Sequence, residues 1–571
     1  MYAIDQNGKA QYTALAAAIA LAFTAVGAQA IGQSGEAQNM IRLGHTDLQG
    51  RPSYQPNVIE YPDGRTILFA GMHSGVPNVP GRVTGCAAGL LPNPLNGNAC
   101  ESNGTMIIDV TDPRNPVETA LIPAPAGGQT QSERMCLGSQ LPHGTPGKVY
   151  MMRNVQGGAA SGYQVYDVTD IRHPTLASSV TGIRSSHKHW WECNTGLVFA
   201  PGSKNSVTVP GTPLWRQSQA MLVLDWSTPT ATPVYIRTFG LPGGQPGATG
   251  PTPNSLHGAI SAHEHPNAAG ALARAPNPPG NATIGNRIYA AWGVGDDGVM
   301  TIIDRKKLLP AAYGGTWVPA TANSADAPTE AELIGPASPT VGYFLMSPDQ
   351  GGHTSFPIFG MKPPSYQKFN EFATRDIVLL ASEATADGVN GRCDEPPHWT
   401  FVVDVTVENS MTFPPAVRAQ LERDPYHGPM VLSTMSVDER SGAKYARGNY
   451  CGRGARFGVH SSEENFRNPY YGKLTAIAYF NGGVRIWDIR EPQAPREVGF
   501  YVPEANGNTD ADGYMTNNVE IDNRGYVYVV DRNGAGMDIL DLTGCAKQIA
   551  DKNHVCNDLG NNNAATNNSG K

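Results

Sequence analysis

Short apolar runs that end in an aspartate recur along the chain. The first, "GTMIIDVTDPRNPVETALIPAP" at residues 104–125, contains an apolar strand, an Asp-rich turn, a proline and a second strand. The run "GYQVYDVTDIRHPTLASSV" at residues 162–180 repeats this order. An aspartate at a strand end can accept a hydrogen bond from the following turn, and proline can begin the next strand because no N–H is needed there. The pattern therefore predicts paired strands joined by tight turns.

Seven copies of this run predict the fold. Their aspartates are Asp109, Asp167, Asp225, Asp304, Asp404, Asp488 and either Asp538 or Asp541. A further apolar run precedes most copies, for example "KVYMMR" and "RIYAAW", while helical periodicity is nearly absent outside residues 414–423. Short strands repeated at a spacing of roughly 50 to 100 residues predict an all-β, seven-bladed β-propeller over residues 31–545. A two-sheet sandwich would not explain seven equivalent Asp turns.

The two ends of the repeat array indicate how the ring closes. The last copy, "MDILDL", has no clear strand after it, whereas "NMIRLGH" at residues 39–45 is a strand without a partner before the first blade. Joining the two removes an exposed sheet edge. We therefore expect the N-terminal strand to complete the last blade.

Three segments carry a resemblance to a known family. The stretches "LGHTDLQGR", "GTMIIDVTDPRNP" and "GGVRIWDIREPQAP" resemble the LVIVD-repeat β-propeller proteins over nearly the whole mature chain. The resemblance implies an exported bacterial propeller and no particular reaction, since that group has no agreed activity. Long insertions at 76–103, 261–283 and 357–373 depart from the pattern.

The ends of the chain and its charge set the expected compartment and partners. The apolar run "TALAAAIALAFTAVG", followed by Ala28-Gln29-Ala30, predicts a signal peptide at residues 1–30 rather than a membrane anchor, because the run is short for a span. We therefore expect a periplasmic or secreted protein, with no membrane span in the mature chain. A net charge of −8 without any Lys/Arg run argues against nucleic acid as a partner. We expect residues 546–571 to form a C-terminal disulfide loop and a disordered tail.

Eight cysteines in an exported chain indicate disulfides. Two pairs would each close a short loop, Cys86 with Cys100 and Cys545 with Cys556. Two further pairs depend on the fold, and these are Cys136 with Cys193 and Cys393 with Cys451. No spacing of the zinc-ribbon or c-type haem kind occurs.

Four blades carry a histidine at an equivalent position. The stretch "SSHKHWWEC" places His187 and His189 just before residues 194–200, which we expect to be the innermost strand of blade three, so either histidine could reach the axis. Blades four, five and six enter their inner strands with His257, His353 and His460. Equivalent positions in a propeller converge on its central channel. Only 14 histidines occur in the chain, so four aligned positions predict an imidazole cluster on the axis.

Such a cluster can hold a transition metal. Three or four neutral imidazoles suit Fe, Cu or Zn, whereas calcium prefers oxygen ligands. We expect second-sphere carboxylates to orient the imidazoles through their other nitrogen, and the candidates are Glu192, Glu463, Glu464 and Glu520. Candidate substrate contacts are Trp190, Trp191, Arg134 and Arg456, although the two tryptophans would equally plug the channel. In the alternative interpretation, each histidine only caps its strand and bonds a neighbouring carbonyl.

Two functions follow from these alternatives. With a metal, the protein is expected to be a metal-dependent oxidoreductase or related metalloenzyme acting on a small molecule, similar in architecture to the carotenoid-cleaving dioxygenases and to the copper-dependent thiol oxidases related to selenium-binding proteins. Without a metal, it is expected to be a cell-envelope scaffold that binds a protein or glycan. The ordinary imidazole pKa near 6.5 predicts that metal affinity falls as the pH drops through that value.

Overall fold

The structure is a computed structural model, and the part of the chain that it describes has several gaps. The described residues are 36–204, 215–273, 283–294, 297–362, 374–385, 398–408, 428–437, 450, 454–552 and 554–556. The predicted signal peptide, the candidate helix at 414–423, Cys393, Cys451 and the predicted tail from residue 557 onwards lie outside these residues.

The protein is an all-β, seven-bladed propeller, as the repeat predicts. The N-terminal strands are β1 (Glu36–Gln38) and β2 (Met40–Thr46). Blade one contains β3 (Ser53–Glu60), β4 (Thr66–Met72), β7 (Gly104–Asp109) and β8 (Val117–Pro123), with the hairpin β5 (Leu91–Asn93) and β6 (Ala99–Glu101) inserted between its second and third strands. Blade two contains β9 (Glu133–Leu137), β10 (Val149–Val155), β11 (Gly162–Asp167) and β12 (Thr175–Thr181). Blade three contains β13 (Ile183–Arg184), β14 (Trp190–Trp191), β15 (Leu197–Lys204), β16 (Ala220–Asp225) and β17 (Val234–Phe239).

The remaining four blades follow the same inner-to-outer order. Blade four contains β18 (Leu256–Ser261), β19 (Arg287–Trp292), β20 (Val299–Asp304) and β21 (Thr340–Leu345). Blade five contains β22 (Gly352–Met361), β23 (Arg375–Ser382), β24 (Thr400–Asp404) and β25 (Met430–Met435). Blade six contains β26 (Leu474–Ala478), β27 (Val484–Asp488) and β28 (Arg496–Val502), and blade seven contains β29 (Thr516–Ile521), β30 (Val527–Asp531) and β31 (Met537–Leu542). Within the described residues, the α-helices are α1 (Arg305–Leu308), α2 (Glu330–Ile334) and α3 (Gly544–Lys552).

The N-terminal segment closes the ring in two places. Strand β2 pairs antiparallel with β31, so it supplies the outer strand of blade seven, as predicted. Strand β1 also pairs with β28, which the sequence did not indicate, and adds an outer strand to blade six. The inner edge of blade six is an irregular segment in which His460 N donates to Ala478 O (2.9 Å) and Glu463 N donates to Ala476 O (3.1 Å).

The repeated aspartates form the predicted turns. Asp109 Oδ1 accepts from the backbone N–H of Thr111 (3.0 Å), and Asp404 Oδ1 accepts in the same way from Thr406 (2.9 Å). Asp304 instead caps α1, accepting from Lys307 N at 3.1 Å. In each case the carboxylate satisfies a backbone donor that has left the strand ladder. The third strand of a blade therefore ends where its aspartate stands.

The apolar core lies between neighbouring blades. In β4, Ile67 and Phe69 pack towards blade two, while Leu68 and Ala70 pack towards blade seven. Successive side chains of a strand point to opposite faces, and here both faces are covered. This double burial explains why the repeat is a continuous apolar run rather than an alternating one.

Three disulfides join residues of the described chain. They are Cys86–Cys100, Cys136–Cys193 and Cys545–Cys556, and all three pairs were predicted. Three disulfides in one chain indicate an oxidising compartment. Among the described residues, no helix has the length and apolar character needed to cross a bilayer.

Candidate functional site

The inner strands of several blades share a β-bulge at the same end. The ladder to the second strand shifts register near the start of β3, β18, β22 and β29. The residues at these bulges include Tyr54, His257, His353 and Asn517. A bulge takes a residue out of the ladder and re-aims its side chain. Since each blade begins with its inner strand, the four bulged positions meet at one mouth of the central channel, which we call the histidine mouth.

Four of the five predicted histidines come together at the histidine mouth. His187 Nε2 lies 2.9 Å from His257 Nε2. The Tyr54 hydroxyl lies 3.5, 3.3 and 3.2 Å from the Nε2 atoms of His187, His257 and His353. The rings of His353 and His460 have centroids 4.2 Å apart. All five side chains are buried.

His189 lies outside this cluster. Its ring packs against Tyr163 of blade two, with centroids 5.3 Å apart, and neither ring nitrogen has a hydrogen-bond partner among the described residues. The expected position of the stretch was also wrong, because β15 is the second strand of blade three, and β13 and β14 form its inner edge. Ser185, between β13 and β14, has φ 55°, a left-handed conformation that interrupts this edge ahead of His187.

Glu383 brings a carboxylate to the imidazoles. Its oxygens lie 3.9 Å from His353 Nε2 and 3.7 Å from His460 Nε2. One ligand atom from each of His257, His353 and Glu383 can be chosen so that all three lie within 4.8 Å of one another. This buried group could hold a metal ion. Arg456 Nη1 lies 3.1 Å from Glu383 Oε1, so it neutralises and positions that carboxylate.

Backbone carbonyls fix the tautomers of two imidazoles. His257 Nδ1 lies 2.8 Å from the carbonyl oxygen of His353, and His460 Nδ1 lies 2.7 Å from that of Asn517. A carbonyl oxygen only accepts, so each Nδ1 carries the hydrogen. In the neutral ring Nε2 then keeps its lone pair, which is the form that binds a metal. The carbonyl contacts expected of strand-capping histidines are therefore present, and they leave the other nitrogen of each ring available.

Burial keeps these imidazoles neutral. It lowers the pKa of His187 to about 3, and the nearby Lys188 adds to this effect. Burial also holds the pKa values of His257, His353 and His460 well below their usual value, with further lowering by neighbouring positive charges. The pKa of the Tyr54 hydroxyl is raised well above 10 by the same burial. At neutral pH the site thus contains uncharged nitrogen donors and a protonated phenol.

The four carboxylates expected to orient the imidazoles lie elsewhere in the described structure. Glu192 accepts from Arg305 Nη2 at 2.7 Å, and Glu464 pairs with Arg134 and Lys188. Glu463 accepts from Asn468 Nδ2 at 3.2 Å. Glu520 faces the opposite end of the channel, which we call the far mouth. A strand rises about 3.3 Å per residue, so Glu520, three positions beyond the bulged Asn517 in β29, lies about 10 Å further along the channel. Carbonyl groups hold the rings of His257 and His460 instead.

The predicted substrate contacts divide between the two mouths. Arg456 lies at the histidine mouth, beside Glu383. Arg134, Trp190 and Trp191 line a cavity of about 390 Å³ at the opposite end. There the Arg134 guanidinium lies 4.3 Å from the centroid of the Trp190 ring.

A second cavity gives access to the histidine cluster. It has a volume of about 340 Å³ and contains Tyr54, His187 and His257 in its wall. Most of the rest of its wall is polar, including Gln131, Gln156, Gln219, Asn254 and Arg532. Amide side chains both donate and accept hydrogen bonds, so this wall suits a small polar molecule.

Three residues of the site were not predicted, namely Tyr54, His73 and Glu383. Tyr54 stands at the start of the blade-one inner strand, the same position that identified His257. His73 and Glu383 follow the last residues of the second strands β4 and β23, which pair with the first residues of the inner strands, Ser53 with Met72 and Gly352 with Ser382. In an antiparallel pair these positions meet at the same mouth. The rule that placed His257 at the start of its inner strand identifies Tyr54 when it is applied to blade one. Extending the rule to the residues that directly follow second strands identifies His73 and Glu383.

Comparisons with known proteins give distant likenesses only. No family model matches the chain, and no curated protein matches it either. Among solved structures, a protein from Lactobacillus plantarum is 8% identical, with a TM-score of 0.38, over 77% of this chain and 93% of that one. The Dos1 propeller is 9% identical, with a TM-score of 0.37, over 89% and 96% of the two chains. A hypothetical selenium-binding protein from Sulfolobus tokodaii is 10% identical, with a TM-score of 0.39, over 75% and 78%. No family is assigned on these likenesses.

Proposed function

We propose that the histidine mouth binds a transition-metal ion and that the protein is an exported metal-dependent oxidoreductase acting on a small polar molecule. The observation that supports the proposal is the convergence of the Nε2 atoms of His187, His257 and His353 around the Tyr54 hydroxyl, with Glu383 alongside. Four separate blades supply these groups, and β-bulges aim two of the three imidazoles.

The donor set suits a first-row transition metal. Imidazole nitrogens with one carboxylate fit Fe(II), Cu or Zn, and the hard cations Ca²⁺ and Mg²⁺ would require more oxygen ligands. His460 Nε2 is fully buried and has no hydrogen-bond partner among the described residues. A buried polar atom without a partner costs stability, so a ligand for this nitrogen would remove that cost. The residues present therefore fit a metal.

Each residue has a definite part in the proposed site. His187, His257, His353 and His460 would be nitrogen ligands, and Glu383 would supply a carboxylate oxygen beside them. A bound Fe or Cu would supply one-electron chemistry, and Zn would supply Lewis acidity. Tyr54 keeps its proton at neutral pH and can donate a hydrogen bond to a molecule held beside the imidazoles. Asn254 and the three glutamines of the cavity wall would orient the polar substrate.

Metal analysis of the purified protein tests the proposal. We expect about one equivalent of a transition metal per chain after dialysis, and loss of most of it in His353→Ala. The matched control is His173→Ala, because His173 is exposed and pairs only with the nearby Asp170. It should retain the metal of the parent protein. The propeller should persist in both variants, because its stability lies in the packing between blades.

Two results would count against the metal. A protein with no stoichiometric transition metal, even after incubation with Cu²⁺, Fe²⁺ and Zn²⁺, would leave the envelope-scaffold function as the better explanation. Equal metal content in His353→Ala and His173→Ala would place any bound metal away from the histidine mouth. Oxidation of small polar substrates by the metal-loaded protein, with consumption of dioxygen, then tests the reaction class.

A further inference from the structure

The far mouth of the channel contains a cavity that the proposed metal site does not use. Its volume is about 390 Å³, within the range usual for small-molecule sites. It is built from the distal ends of the inner strands, and its wall includes Asn57, Trp190, Phe466, Glu464 and Glu520. None of the residues in its wall also lines the cavity at the histidine mouth.

A buried ion-pair network separates the two cavities. Glu464 pairs with both Lys188 and Arg134, and Gln55 Nε2 donates to the same carboxylate at 3.4 Å. Lys188 Nζ also donates to Thr354 Oγ1 at 3.2 Å. Lys188, Gln55 and Glu464 are all buried. Gln55 lies in β3 between Tyr54, which lines one cavity, and Asn57, which lines the other, so a ligand at the far mouth would have its own route to solvent.

Glu520 presents its carboxyl group to this cavity. The residue is 6% exposed, and its carboxyl oxygens are accessible from the cavity. Burial, with the nearby charge of Glu463, raises the pKa of Glu520 well above its ordinary value. The carboxyl group can therefore form hydrogen bonds with a ligand that enters the cavity.

A donor without a partner stands in the same wall. Asn57 Oδ1 accepts from Arg134 Nη1 at 3.2 Å, but Asn57 Nδ2 has no partner among the described residues. Asn57 is 3% exposed. The wall therefore presents the Glu520 carboxyl group to the cavity and also contains a buried donor without a partner, Asn57 Nδ2.

The charges around the cavity do not favour an ion. Glu464 is compensated by Arg134 and Lys188, and the rim contains both Glu60 and Arg467. The remaining carboxyl group of the wall, Glu264, accepts from the backbone N–H of Cys193 at 2.7 Å, and burial raises its pKa to about 7. The glutamates of this wall also do not form, among the described residues, a group with metal-ligand spacing. Aromatic side chains, Trp190 and Phe466, supply apolar surface. A neutral ligand with both polar groups and apolar faces matches such a wall.

We propose that the far mouth binds a neutral polyhydroxylated molecule of monosaccharide size. A sugar hydroxyl donates one hydrogen bond and accepts others, so one hydroxyl can bond to Glu520 and another, after rotation of the amide, to Asn57 Nδ2. The C–H faces of a sugar ring can pack on the aromatic surface. This site is independent of the metal, because no group of the histidine cluster lines it.

Binding of simple sugars to variants of the full chain tests the site. The probes are glucose, galactose, mannose and N-acetylglucosamine, followed by saturation-transfer NMR and calorimetry. We expect at least one to bind with a millimolar Kd, and Glu520→Leu to raise that Kd at least about tenfold. Asn57→Asp keeps the acceptor for Arg134 but removes the N–H donor, and should weaken binding as well. Glu330→Ala, an exposed position in α2, and His353→Ala should bind like the parent.

Thermal unfolding gives a second, independent readout. Because burial disfavours the charged form of Glu520, Glu520→Leu should keep or raise the Tm while losing the sugar. The proposal is overturned if none of the four sugars binds, if Glu520→Leu and Asn57→Asp bind as tightly as the parent, or if Glu520→Leu lowers the Tm. Glu520-dependent binding of spermidine in place of sugars would also overturn it, in favour of a cationic ligand.

Discussion

His187 and His189 are two residues apart, yet only His187 reaches the channel axis. Its Nε2 lies 2.9 Å from that of His257, whereas the ring of His189 packs on Tyr163. The difference arises from the interrupted inner edge of blade three, where Ser185 adopts a left-handed conformation. At this scale the type of residue indicates what chemistry is available, and the local backbone decides where the side chain goes.

Glu192 likewise has the chemical type expected of a partner for a metal ligand, but it does not lie beside one. The sequence suggested a partner for an imidazole, but Arg305 donates to it through Nε (2.9 Å) and Nη2 (2.7 Å). Ser261 Oγ and Thr195 Oγ1 donate at 2.5 and 2.6 Å. Although burial alone would raise it, the Arg305 guanidinium holds the pKa of Glu192 below its usual value. Glu192 therefore joins blades three and four rather than orienting a metal ligand.

Removing Arg305 should destabilise the fold and spare the metal. Arg305→Ala leaves a fully buried carboxylate held only by hydroxyls, and we expect a loss of about 3–5 kcal/mol in the free energy of unfolding. Denaturant titration measures this. The matched control, Arg65→Ala, breaks an exposed pair with Asp63 and should cost at most about 1 kcal/mol. If the folded Arg305→Ala variant lost its bound metal, Glu192 would have to be assigned a role at the metal site after all.

At the scale of elements, the short strands β1 and β2 connect the two ends of the chain. Strand β2 pairs Met40 with Leu542, and β1 pairs Glu36 with Val502. Together they cover the outer edges of two neighbouring blades. An open sheet edge presents unpaired N–H and C=O groups to other molecules, so these strands protect the ring as well as close it.

Truncation at Asp47 should therefore open the ring. A chain beginning at Asp47 lacks both strands and exposes the outer edges of β28 and β31. We expect a markedly lower Tm and concentration-dependent aggregation, measured by calorimetry and light scattering. A chain beginning at Glu36 retains both strands and is the control. Equal Tm and monomeric behaviour of the two truncated chains would show that β1 and β2 contribute nothing to closure.

At the scale of the whole molecule, the ring creates an interior that no blade has alone. Seven inner edges exclude water from the axis, which makes it costly to charge an imidazole there. The same interior is divided by Glu464 and its two cations into a histidine mouth and a far mouth. Both proposed sites are thus consequences of closure, at opposite ends of one channel.

Closure also changes the expected pH dependence of metal binding. Protons compete with a metal only below the pKa of the folded protein's imidazoles, which is about 3 for His187 rather than 6.5. The affinity should stay nearly constant between about pH 7.5 and about pH 5.5, contrary to the expectation from free imidazole. Bound metal after dialysis across this range is the measurement, with circular dichroism confirming the fold at each pH. A decrease in bound metal centred near pH 6.5 would show that the site is open to water.

The sequence by itself determined the propeller, the closing strand and two disulfide pairs, because each depends on periodic or local features: a repeated apolar run, an Asp turn, a strand without a partner, and two cysteines close together in the chain. The third pair, Cys136–Cys193, was expected only once the fold was assumed. The sequence also predicted the histidine positions, since equivalent positions in repeated blades must meet. Only the tertiary structure decided which groups share the axis. Glu383 and Tyr54 joined the imidazoles, while Glu464 and Glu520 did not. Small shifts of register at bulges and contacts between blades determined which of these side chains meet, and neither leaves a local signal in the sequence.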